Sequence, residues 1–263
     1  TALFTDPELS VRLPTPVGIG NIGDFVDSSR YTFAIGESTF LLQDPSEYPD
    51  RTEAGERKYQ ALKVYFETML PRFGYSTEEA DAILDGCISY ENLLAGSAYT
   101  IEQQQSPEFI GSIYQNVVSY DELIAGFENF PMDGMIKACG YEGIQSVLNT
   151  NPTFCETLDA SYTEENVELI KDYLLIGVIA SNSSSLDREA LNASLDCSNA
   201  MNGSTGYLSD KELAYEAVNQ TLAFPLSRAY VDFYDFADTR DRILALCESI
   251  KAEYREILQQ EEW

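Results

Sequence analysis

No histidine occurs in the 263 residues of this chain. That absence removes the His-Glu-x-x-His zinc site, the Ser-His-Asp and Cys-His relays, and imidazole acid–base chemistry. Basic residues are also scarce and scattered, 16 against 44 acidic ones, for a net charge of −28. Phosphate recognition needs clustered Lys and Arg, so nucleic acid and anionic membrane surfaces are poor partners. Cys87, Cys139, Cys155, Cys197 and Cys247 are odd in number, and none has Cys-x-x-Cys spacing. A paired framework, a zinc knuckle and a thioredoxin-like motif are therefore disfavoured, and core packing is the expected role of the thiols. No apolar run approaches the ~20 residues of a membrane span. The longest, "YLLIGVIA", is bounded by Asp172 and Asn182. The opening "TALFTDPELS" has neither a basic nor an apolar leader region.

What is present is enough for a packed globule, with hydrophobic residues at 44%. The first fifty residues read as loops and one or two short strands. "VRLPTPVGIGNIGDF" is rich in Pro and Gly, "RYTFAIGESTFLL" alternates, and "QDPSEYPD" is a turn. The Gly18, Gly20 and Gly23 run matches G-x-G-x-x-G only superficially, without strand–helix–strand context.

From about Thr52 the period becomes helical. Tyr59, Leu62, Phe66, Met69 and Leu70 share one face, which Gly74 ends. Ser76 with Glu79, Ser119 with Glu122 and Ser209 with Glu212 form capping boxes. Ser106-Pro107 marks another helix start, as do Thr163-Glu164-Glu165 and Asp187. Pro225 should kink or divide the helix that begins at Ser209. The last helix should bury Ile243, Leu246, Ile250, Tyr254, Ile257 and Leu258. The expected fold is mainly α: a single multi-helix lobe over residues 1–263, with residues 1–50 as a loop and strand lead-in, residues 51–263 as helices, and strands confined to roughly residues 1–45.

Candidate chemistry is thin. Asp232, Asp235, Asp238 and Asp241 recur every third residue but lack the Gly and Glu of a calcium loop, so a solvated face is the expectation. Asn182, Asn192, Asn202 and Asn219 fit the N-glycosylation triplet, which matters only in a eukaryotic secretory pathway. No catalytic, cofactor-binding or metal-binding residue is assigned on these grounds.

The order of segments nevertheless resembles the front portion of the neprilysin-like zinc metalloendopeptidases, which include endothelin-converting enzyme and bacterial oligopeptidases. The stretch "DFVDSSRYTFAIGESTFLLQDPSEYPD" follows that family's strand and turn pattern. "YQALKVYFETMLPRFG" (Tyr59 to Gly74) resembles its Y-x6-M-L-x3-G helix. "ADAILDGCISYENLLA" resembles A-x-x-I-L-x-x-E-x-x-L-A, with Glu91 as the acid. "YQNVVSYDELIAGF", "NPTFCETLDASYTEENVELIKDYLLIGVI" and "SRAYVDFYDFADTRDRILALCESIKAEYREILQQEEW" follow in the family's order. The family's Trp-x-x-Cys segment has no counterpart, because Trp263 is the lone tryptophan, and the region Ser181–Thr205 matches poorly.

The resemblance implies a non-catalytic helical lobe that caps a chamber and limits substrates to peptides. It further implies that the parent chain continues past Trp263 into a catalytic lobe holding the zinc. This chain would then be inactive alone and hold no zinc. Its partners would be that lobe and peptide substrates, in an extracytoplasmic or cell-surface parent. Two other readings stay open: a free-standing acidic helical protein that binds a basic peptide or protein, and an acid–base enzyme built on carboxylates.

Overall fold

The computed structural model describes residues 2–24, 27, 29–113, 115–234 and 237–260. The chain divides into two compact units, Thr1–Thr205 and Gly206–Trp263. In chain order, the first holds α1 (Ala2–Thr5), β1 (Val17–Gly23), β2 (Tyr31–Glu37), α2 (Glu53–Met69), α3 (Thr77–Ala95), α4 (Ile101–Gln104) and α5 (Pro107–Ile113). It continues with β3 (Val117–Ser119), α6 (Tyr120–Ala125), α7 (Met132–Ala138), β4 (Ser146–Asn149), α8 (Pro152–Ser161), α9 (Val167–Asn182) and α10 (Arg188–Asn202). The second unit holds α11 (Asp210–Thr221), α12 (Ala223–Tyr234) and α13 (Ala237–Gln260). The chain is therefore mainly α, with a strand-containing N-terminal segment.

Local sequence explains the helix ends. Ser76, Ser119 and Ser209 each accept the N3 backbone N–H, while Glu79, Glu122 and Glu212 bond back to the cap. Thr100 and Gln103 form a further box that opens α4. Asp187 caps α10, whose end is marked by Gly203 at φ 66°. Gly74, at φ 95°, closes the 3₁₀ turn after α2. Pro225 lies in the first turn of α12, and the helix begun at Ser209 breaks at Leu222, as its sequence predicts. α9 begins at Val167 rather than at Thr163: Asn166 is its N-cap, and residues 163–166 form a bend and turn.

The core of the first unit forms where α3 packs against α9 and α8, with α2 alongside and α10 beyond α2. Leu84, Tyr90 and Leu94 of α3 meet Tyr173, Leu174 and Ile176 of α9 in this buried cluster. The rings of Tyr90 and Tyr173 are 5.4 Å apart. The close crossings are set by small residues. A Cβ at Gly86 would lie 2.0 Å from Asp172 Oδ2, and one at Gly177 would lie 2.5 Å from the Pro14 ring.

One expectation fails here. The sheet has four strands in the order β1-β2-β4-β3, and two of them lie beyond residue 45. β1 and β2 form an antiparallel hairpin; β4 joins β2 in parallel, and β3 joins β4 antiparallel. Strands of three and four residues are too short to show a period of two, and at Ser119 the capping box dominates the local signal. The central β2 buries Phe33, Ala34 and Ile35 consecutively, as a strand covered on both faces does.

The second unit also departs from expectation. Ile243, Leu246, Ile250, Tyr254, Ile257 and Leu258 are 47–62% exposed instead of buried. The amphipathic period correctly gave the helix, but burial needs a second surface, and no described residue supplies one. Trp263 lies outside the described residues.

Candidate functional site

The most unusual polar group of the first unit is Glu91, only 4% exposed in the C-terminal third of α3. Its period-3.6 position aims it inward, toward the turn-rich segment that follows β2. Both carboxylate oxygens accept the Leu41 N–H, at 3.1 and 3.2 Å. The Tyr48 hydroxyl donates to Oε2 in a short bond and itself accepts the Leu42 N–H at 3.0 Å. Glu91 and Tyr48 thus tie down consecutive amides of one loop. The loop contains Gln43, the one described non-glycine residue at positive φ, 71°.

Burial pushes the Glu91 carboxyl up to about 7, against the pull of its Tyr48 and Leu41 hydrogen bonds. Desolvation and the nearby carboxylate push the Tyr48 hydroxyl upward as well. One turn away, the Cys87 thiol is raised well above its ordinary value by burial, then by Glu91. A poised nucleophile needs the opposite shift, so Cys87 is an inert core thiol. The carboxylate spends its lone pairs on loop amides and a phenol, which makes Glu91 a latch of the fold. Sequence reading marked Glu91 as a family acid but missed Tyr48, 43 positions away, because no local pattern links them.

The other thiols are more varied than core packing predicts. Cys155 is buried, Cys139 and Cys197 are half-buried, and Cys247 is exposed. Cys197 borders a groove of about 890 Å³ between α2 and α10, lined by Ala61, Val64, Ala193 and Ala200. The groove carries Arg57, Arg188 and Asp196 on its walls, without a convergent catalytic set.

Of the aspartate row, Asp232 accepts from Arg228 at 2.8 Å one helical turn away, while the side chains of Asp235 and Asp238 lie outside the described residues. Among the described residues no three His, Cys, Asp or Glu converge as metal ligands. The residues present do not fit a catalytic zinc, for which the donor set lacks imidazole altogether. The glycosylation-like triplets all start on helices. Asn182 and Asn202 donate to the carbonyls of Val178 and Ser198 one turn back. No described helix is long and apolar enough to cross a membrane.

Comparison with known proteins places this geometry. The N-terminal pattern of peptidase family M13 matches residues 7–263. A neutral endopeptidase of Lactobacillus helveticus is 25% identical over 184 residues, 70% of this chain and 27% of that protein. Among solved structures, the inhibitor complex of Mycobacterium tuberculosis zinc metalloprotease Zmp1 superposes on all of this chain, with a TM-score of 0.83 at 19% identity. PepO of Lactobacillus rhamnosis HN001 covers 99% of it, with a TM-score of 0.83 at 18% identity. The chain spans 39% of that Zmp1 chain and 41% of that PepO chain, and about a quarter of the curated relative. The match over nearly every residue, with the same mainly helical fold, shows that the chain belongs to the M13 family of metallopeptidases and corresponds to its N-terminal part.

Proposed function

We propose that this chain is the non-catalytic helical lobe of a longer M13 zinc endopeptidase, where it caps the catalytic chamber and restricts substrates to peptides. The observation that carries the reading is the pairing of a family match over residues 7–263 with a chain that has no histidine and, among the described residues, no cluster of metal ligands. The zinc and the groups that polarise the scissile carbonyl then belong to the remainder of the longer chain. The contribution of this lobe is shape: a rigid α3–α9 core and a loop held fixed by Glu91 and Tyr48.

Size restriction is tested in the longer chain. One scissile sequence is offered as a free peptide, as a flexible linker in a folded protein, and as a buried strand of a folded protein. The reading predicts cleavage of the free peptide and at least 100-fold slower cleavage of both folded-protein forms. Equal cleavage of peptide and linker would remove the size-filter role.

A further inference from the structure

On α13 the large apolar residues other than Leu244 fall in register. Ile243, Leu246, Cys247, Ile250, Tyr254, Ile257 and Leu258 lie within an arc of about 120° at 100° per residue. Asp241, Glu248, Arg255, Glu256 and Gln259 occupy the opposite side. The stripe runs about 22 Å along the axis at ~1.5 Å per residue. Every member is exposed. Half-exposed Ile, Leu and Tyr side chains leave on the order of 100 Å² each, so the six leave about 600 Å², the upper end of what a soluble monomer carries. Phe224 and Phe233 of α12, 90% and 80% exposed, add further apolar area in the same unit. The α13 stripe alone supplies roughly three quarters of the ~800 Å² that each partner commits to a stable interface.

We infer that this stripe of α13 is the docking face for the part of the longer M13 chain that these 263 residues do not include. The inference rests on the proposed function and goes beyond it by naming the surface. Two observations select this occupant over a second copy. The related Zmp1 and PepO chains are about two and a half times as long, so a large covalently tethered partner is available at high effective concentration. The chain also carries a net charge of −28, which opposes close approach of an identical molecule.

Cys247 sits inside the stripe and reports on it directly. Its alkylation by N-ethylmaleimide, read by peptide mass spectrometry, is compared in the 263-residue chain and in the longer chain. Labelling at least tenfold slower in the longer chain is expected; equal rates would overturn the inference. Slowing that grows with concentration in the 263-residue chain, together with a dimer in sedimentation, assigns the stripe to a second copy and also overturns it. Slow labelling in a monomeric 263-residue chain does the same, because the face is then already covered. An Ile250→Asp variant of the longer chain, with unchanged helical circular dichroism, should regain fast Cys247 labelling. Protection that survives this substitution counts against the face. A longer chain that binds zinc and cleaves peptides while Cys247 reacts freely sinks only this inference. A protected Cys247 in a chain without zinc or activity sinks only the proposed function.

Discussion

Replacing Glu91 with Gln should flatten the dependence of stability on pH between 5 and 8. The buried carboxyl is raised from an ordinary 4.5 to about 7 by desolvation. Because its folded-state pKa lies above the unfolded one, the native state holds the proton more tightly. The stabilisation is complete below about 4.5 and is lost as pH rises through about 7. Linkage over the window from pH 5 to 8 gives about 2–3 kcal/mol from this one group. The groups that face it, Tyr48, Cys87 and Tyr173, are all shifted upward and stay neutral throughout that window. Asp172 is also raised, but it is left intact in both proteins, so its contribution cancels. Gln keeps one acceptor for the Leu41 N–H and introduces a buried amide donor, a roughly constant cost of ~1 kcal/mol that shifts the curve without tilting it. The assay is urea unfolding followed by circular dichroism at pH 5, 6, 7 and 8, with wild type and Glu91→Gln side by side. Wild type should lose about 2–3 kcal/mol more than the variant across the series. Parallel curves would refute the buried-acid reasoning.

Other substitutions probe the frame around this latch. Asp159→Ala removes the acceptor of the Asn129 and Phe130 N–H groups, both at 2.8 Å, and should cost about 2–4 kcal/mol in urea unfolding. Gly177→Ala drives a methyl to 2.5 Å from the Pro14 ring, which cannot swing aside; an overpacking cost of about 1–3 kcal/mol should appear as a lowered Tm. Ser76→Ala unmakes the capping box of α3 and should cost about 1 kcal/mol, with Glu79 rising toward its ordinary carboxylate range in a two-dimensional NMR titration.

Features written in nearest neighbours were legible in the sequence. Ser76, Ser119 and Ser209 with their glutamates, Asp187 and the break before Pro225 all fell where residue chemistry places them, because caps and breaks are decided within four residues. The strands Val117–Ser119 and Ser146–Asn149 escaped because their pairing partners lie far away in sequence, at β2 and at each other. The Glu91–Tyr48 latch escaped for the same reason. The stripe on α13 shows a third kind of limit: its period reveals an apolar face but not what covers it, and Ile243 through Leu258 are exposed within this chain. The missing histidine excluded the His-Glu-x-x-His zinc site by chemistry.

Zinc content measured beside peptide hydrolysis, in the 263-residue chain and in the longer chain, addresses the lobe assignment most directly. The expected result is one zinc per longer chain, with cleavage abolished by a chelator and restored by zinc, and neither zinc nor cleavage in the 263-residue chain. Stoichiometric zinc with peptide cleavage in the 263-residue chain, or a longer chain lacking both, would contradict it.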